Sequence, residues 1–338
     1  MCYNTLGNLV SAIRKERTDL MAESIYEKYA VRKPVYEAGP GVKNRQSPTM
    51  TFMSEKQTGA PYYIELGWIY DIPEPNPHIH EHVHDYDEIV LHWGGDYKKP
   101  QVLGGEIEFY IGGQPITFNT TTGIFIPKGT PHGPLTWKRF DFPHIEMAMM
   151  LGTGDPFKGW GKSGIKDEKK SPPKKIKDFD FEQYVIRSPM REAGSKQTKR
   201  QTPTMTYMSS TQINIANCYI EFGWIWGKVE PPINKMVHDN LDEIVLHIGG
   251  DPRDPEDLGA DLEFDMGDDK LMFNKSFGMW IPKGVPHGPL VWHKVRKPHI
   301  EMAIMLGGGT MAEGWGSSFF GPDGKRLEPG QRPPGFPQ

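Results

Sequence analysis

Two short stretches of the chain carry the residue types of a metal site. In HVHDYDE, His82 and His84 stand two residues apart, which on an extended strand turns both imidazoles to one face. Glu88 follows four positions later, where a short turn or bulge returns its carboxylate to that face. His132, closing PKGTPH, is distant in sequence and must be delivered by folding. Neutral imidazoles and a carboxylate at one point suit a first-row divalent cation. Four such ligands leave two neighbouring positions of an octahedral ion open to substrate or water. A surface histidine cluster or a buried hydrogen-bonded network would use the same residue types. A second set, His238, Glu243 and His287, offers a two-imidazole, one-carboxylate face with three open positions. There Met236 replaces the first histidine, and a thioether is a poor partner for a hard cation.

These residues belong to a duplicated framework. QSPTMTFMS returns as QTPTMTYMS, YIELGWIY as YIEFGWIW, DEIVLHWGGD as DEIVLHIGGD, IPKGTPHGPL as IPKGVPHGPL, and PHIEMAMMLG as PHIEMAIMLG. A near-constant offset between the copies means a repeated domain. The reading is an N-terminal segment over 1–28 with helical spacing of apolar residues, a first domain over 29–161, and a linker over 162–183. A second domain covers 184–316, and a Pro/Gly-rich tail covers 317–338. Within each domain the apolar runs are short, rich in Ile, Val, Phe, Tyr and Trp, and end at Gly or Pro. That pattern predicts antiparallel strands closing an all-β sandwich or barrel. Ionisable groups inside such a barrel are costly to bury unless paired, and a cation would pair them.

The segments also resemble a known family. HVHDYDEIVLHWGG resembles the first cupin motif through His82, His84, Glu88 and Gly95, and PKGTPH the second through Pro127, Gly129 and His132. His238, Glu243, Gly250, Pro282, Gly284 and His287 repeat the match. The chain departs from the pattern at Gly123, at Thr136 and Val291 where the family often has Asn, and above all at Met236. The resemblance implies a bicupin: two tandem jelly-roll barrels, each a double-stranded β-helix, after an N-terminal helical segment. It further implies one divalent metal (Fe, Mn, Ni or Zn) in the first barrel and allows a second in the other.

Two classes of function fit these residues: an enzyme acting on a small organic substrate, or a non-catalytic binder of a metal or small ligand. Among enzymes the first expectation is a dioxygenase-type oxidoreductase, and the alternative is a decarboxylase or isomerase. Glu88 and His92 are the candidate catalytic groups, His92 because it shares the face of Glu88. Trp68, His80 and His247 are candidates for substrate contact, and His80 also for a substitute ligand. Arg139 is the one arginine between Gln46 and Gly152, which argues against a small dianion such as oxalate; Arg32 and Arg45 remain able to reach over. A net charge of −4 gives no reason to expect nucleic acid as a partner. No apolar run approaches the roughly 18 residues of a membrane helix. Two cysteines and the lack of an apolar leader predict a cytoplasmic protein. The paired barrels are compatible with a homodimer.

Overall fold

The computed structural model describes residues 24–39, 41–157, 174–193, 197–316 and 318–332. The helical segment expected over 1–28 lies outside these residues up to position 23, and the chain then forms a short 3-10 turn, Glu27–Tyr29. Parts of the expected linker and tail also lie outside them.

Strands dominate everything else. The first half gives β1 (Ala30–Val31), β2 (Val35–Tyr36), β3 (Lys43–Arg45), β4 (Met50–Met53), β5 (Tyr62–Glu74) and β6 (Asp87–Gly94). It continues with β7 (Val102–Ile111), β8 (Gln114–Thr120), β9 (Thr122–Ile126), β10 (His132–Phe140) and β11 (His144–Leu151). The second half repeats the series with β12 (Val185–Ile186), β13 (Thr198–Arg200), β14 (Met205–Met208), β15 (Cys218–Glu230) and β16 (Asp242–Gly249). It ends with β17 (Asp257–Met266), β18 (Asp269–Lys275), β19 (Phe277–Ile281), β20 (His287–Val295) and β21 (His299–Leu306).

Each half is a barrel of two facing sheets. In barrel 1 the large sheet runs β12-β9-β6-β11-β5-β4-β2, with β3 also on β5, and the small one runs β10-β7-β8. Barrel 2 has β1-β19-β16-β21-β15-β13, with β14 on β15, against β18-β17-β20. The orders reveal a reciprocal exchange. The first half's β1 pairs with β19 of barrel 2, and the second half's β12 pairs with β9 of barrel 1.

Burial follows from this stacking. In the small sheet β7 alternates between buried and half-buried positions, as expected where one face is wet. In the large sheet β6 is buried at every position after Asp87, because both of its faces are covered. One face looks into the barrel and the other packs against its twin; Trp93 meets Phe222 across that boundary at 5.6 Å between ring centroids. Two glycines make the close approach possible. A Cβ on Gly123 would sit 2.4 Å from the Tyr207 carbonyl oxygen, and one on Gly278 would sit 2.3 Å from that of Phe52.

Candidate metal centre

The register of the large sheet fixes what faces the interior of barrel 1. Glu88, Val90 and His92 on β6 lie opposite Met150, Ala148 and Glu146 on β11, and these lie opposite Tyr63, Glu65 and Gly67 on β5. Directly opposed residues share a face, so the interior is layered: Glu88 at one level, Glu65 at the next, Glu146 with His92 at the third.

At the level of Glu88 the four expected side chains come together. Ligand atoms of His82, His84, Glu88 and His132 all lie within 4.8 Å of one another. His82 and His84 do not lie on a regular strand, as their spacing suggested. They sit on an irregular segment whose His82 forms an isolated bridge to His132, through His82 N–H to His132 O at 2.8 Å and the reverse bond at 2.9 Å. The proline-rich stretch before them gives the ladder too few N–H donors to continue as a strand.

The hydrogen bonds orient the imidazoles. Nδ1–H of His82, His84 and His132 donates to the carbonyls of His80, Tyr86 and Thr130 at 2.9, 2.9 and 2.8 Å. A carbonyl can only accept, so each proton is on Nδ1 and each Nε2 keeps its lone pair. Glu88 Oε2 lies 3.0 Å from His84 Nε2 and 2.9 Å from His132 Nε2. The second contact lacks hydrogen-bond geometry, which leaves His132 Nε2 buried without a partner among the described residues. Burial and the neighbouring His132 push the His82 imidazole down to about 4, so it is neutral at physiological pH. Burial pushes the Glu88 carboxyl up, and only positive charge and donated protons on His132 and His84 bring it below the ordinary carboxylate range, a charge that a bound cation would supply in their place. An inward set of lone pairs beside a carboxylate, with an orphaned nitrogen at its centre, fits a divalent cation.

Barrel 2 keeps part of the arrangement: one ligand is missing, His287 Nδ1 bonds the Val285 carbonyl at 3.0 Å, and His238 Nδ1 has no partner among the described residues. His238, Glu243 and His287 form the second group within the same distance limit. Glu243 Oε2 stands 3.1 Å from His238 Nε2 and 2.9 Å from His287 Nε2, and His287 Nε2 is again unpartnered among the described residues. Met236 holds the place of His82, bridging His287 by the same pair of backbone bonds. Its side chain packs in an apolar cluster with Trp315 and Phe319, brought over this barrel by the C-terminal segment. That packing keeps the thioether in a hydrocarbon setting.

The remaining candidates lie elsewhere. His92 faces the interior, but four residues along a strand place it about 13 Å from Glu88, beside Phe118 and Trp137 and across from Glu146. His247 is its equivalent, stacked on Phe277 at 4.9 Å. Trp68 does not line the site: it pairs with Ile145 on the opposite face and is fully buried in the core. His80 supports the centre through its carbonyl, and its imidazole is outside the grouped ligand atoms.

A second polar layer lies below the centre. Arg45 Nε donates to Glu146 Oε2 at 3.1 Å, and His78 Nε2 stands 3.5 Å from the same oxygen. Glu65 accepts from Thr49 Oγ1 at 2.6 Å and from Tyr63 OH at 3.2 Å. Barrel 2 keeps Arg200, Glu301, Glu221, Thr204 and Tyr219 in these places. Most of this layer escaped the sequence reading; the exception was Arg45, named as able to reach over. The available signal was a carboxylate inside an otherwise apolar strand, repeated in YIELGWIY and YIEFGWIW, which must find a partner when buried. In barrel 2 a cavity of about 50 Å³ connects the two layers, with Arg200, Glu221 and Glu301 toward one end and Met236, Glu243 and His287 toward the other.

No known family profile matches the sequence, and no curated protein matches it. Among solved structures the chain is similar to oxalate decarboxylase from Bacillus subtilis, with a TM-score of 0.53 at 8% identity over 85% of this chain and 78% of that one. A second structure of that enzyme, studied for its Mn(II) centres, gives 0.54 at 9% over 86% and 80%. A vicilin from hazelnut, Corylus avellana, gives 0.49 at 10% over 83% and 86%. At such identities the likeness is one of architecture: the chain has the bicupin fold, all-β with two tandem barrels.

Proposed function

We propose that the chain is a metal-dependent bicupin enzyme acting on a small organic substrate, with its principal centre in barrel 1. His82, His84, Glu88 and His132 would hold the cation. The observation that carries this reading is the direction of the imidazoles: with every Nδ1 proton committed to a carbonyl, only acceptors meet at Glu88. Buried acceptors crowded together call for a cation or a proton between them. Bound there, a divalent ion would supply Lewis acidity toward a substrate oxygen. His82 is less buried than the other three, so substrate would approach from its side. In barrel 2 the loss of an imidazole to Met236 predicts a weaker hold.

Within this reading a dioxygenase-type reaction on an uncharged, hydroxylated substrate comes first. A small dianion needs an uncommitted cation, and the arginines that could reach it are taken: Arg45 by Glu146, Arg139 by Asp141 and Glu106, Arg32 by Glu27. One observation favours a lyase or isomerase as the second reading. Burial pushes the Glu65 carboxyl above its ordinary range, toward that of a general acid inside the barrel. Iron suits the first reading; manganese, named for the Bacillus subtilis decarboxylase, suits the second.

Elemental analysis of chain purified without chelator is the test, followed by oxygen uptake with small hydroxylated aromatics and carbon dioxide release from oxalate. A bound cation that His84→Ala removes, with turnover lost and thermal stability kept, supports the enzyme. Lost stability with turnover intact makes the cation structural. Carbon dioxide release without oxygen uptake moves the assignment to the lyase.

A further inference from the structure

Inside barrel 2 one arginine faces two carboxyl groups. Arg200 Nε is bonded to Glu301 Oε2 at 2.7 Å, which leaves Glu221, among the described residues, with no cation of its own in a cavity that already contains Glu243. Proton counting points the same way. Thr204 Oγ1 lies 3.0 Å from both the Ala193 carbonyl and Glu221 Oε2, and a hydroxyl has one proton to give. If Glu221 is a neutral acid, its own proton goes to Thr204 and both contacts are satisfied. Burial, opposed by the Arg200 charge, pushes this carboxyl up to about 7.

A path leads from it to the surface. Tyr219 OH stands 3.3 Å from Glu221 Oε2 and 3.0 Å from Thr206 Oγ1, and beside it is Glu192, which is only half-buried. Barrel 1 has the same parts: Glu65 with Thr49 and Tyr63, Thr49 on the Ala38 carbonyl, and Glu37 beside Tyr63. The difference is that Glu221 lines the cavity whose other end is Glu243 and His287. That cavity has room for a few water-sized groups.

We propose that Glu221 is the proton-exchanging residue of the barrel 2 cavity, connected to solvent through Tyr219 and Glu192, and that the cavity takes a small hydroxyl- or carbonyl-bearing molecule. With no uncommitted cation among the described residues of its wall, the cavity disfavours an anion. A ligand hydroxyl gives its proton to the free oxygen of Glu221. The Oε2 proton then turns from Thr204 to Tyr219 as the Tyr219 hydroxyl gives its own proton to Glu192, which releases it to water. One proton leaves the ligand, one reaches solvent, and Glu221 stays a neutral acid with its proton on the other oxygen until the carboxyl turns over; the reverse sequence protonates the ligand. This deepens the enzyme reading above and rests on it only for the chemistry done on the ligand.

Infrared spectra of the full chain at neutral pH test the proposal. A carboxylic-acid carbonyl band that Glu221→Gln removes, with cation content unchanged, is the expected result. On transfer to heavy water that band should shift promptly in the wild type and about tenfold or more slowly in Tyr219→Phe. Should Glu221→Gln fail to fold, the Tyr219→Phe exchange rate decides alone. A Glu221→Gln minus wild-type difference spectrum that shows no acid band lost, or exchange unchanged in Tyr219→Phe, overturns the proposal and leaves the metal assignment standing. A cation-free chain that keeps the band and its exchange path supports the proposal and overturns the metal assignment.

Discussion

The two barrels share a frame and differ at the mouth. Below the centre both keep an arginine bonded to one glutamate and a second glutamate between a threonine and a tyrosine. At the centre they part: His82 faces Met236, and His78, beside Glu146, has no imidazole counterpart in the stretch before Met236. Barrel 2 is also covered by Trp315 and Phe319. The polar layer therefore does not depend on the ligand set above it. Whatever the lower layer does, it does in a barrel with three imidazoles and in one with two.

Breaking the lower layer should give the largest effect and should separate the barrels. Arg200→Ala strands Glu301 and is expected to cost about 3–5 kcal/mol in denaturant titration. Arg45→Ala should cost less, since His78 Nε2 stands 3.5 Å from Glu146 Oε2 and can close on it as a hydrogen-bond donor. Equal losses would mean that His78 plays no such part.

Next comes the cation. His84→Ala should remove about one equivalent of metal by elemental analysis, while His238→Ala should leave that equivalent in place. Met236→His should raise the content toward about two per chain by completing the second ligand set. If His238→Ala empties the chain instead, barrel 2 is the principal centre.

A moderate effect concerns acid and should not distinguish the barrels. His144 and His299 each accept from a tryptophan indole, at 2.9 and 3.0 Å, and burial pushes both down to about 4 from 6.5. Between those values the unfolded chain binds protons that the folded one refuses, so stability falls as pH drops from 6.5 toward 4. Asn at either position should flatten part of that decline, by similar amounts.

The smallest effect belongs to Glu221. Its raised value means that the folded state binds the extra proton, so its contribution is full below about 4.5 and lost as pH rises through about 7. Glu221→Gln should remove that slope, matching the wild type below about 4.5 and holding stability better than it as pH rises toward 7, measured by thermal unfolding across the range.

Sequence spacing revealed the duplication and all seven candidate ligands, because HxH and the distant histidine carry their meaning in residue type. It did not reveal how His82 and His84 are held, since two backbone bonds to His132 do the work that a strand was expected to do. Trp68 was misplaced because composition cannot say which face of β5 turns inward; the alternation beginning at Tyr63 decides it. Glu65 and Arg45 are far apart in the chain and meet only through the sheet, so no local pattern shows their shared charge.

The exchanged arms bear on ancestry. Since β1 completes the second barrel and β12 the first, a one-barrel forerunner would have exposed an uncapped edge and would have found its missing strand on a twin. A duplication that joined two such copies would tie together a symmetric pair, and cutting the present chain between its halves should give fragments that recover their shape only when mixed.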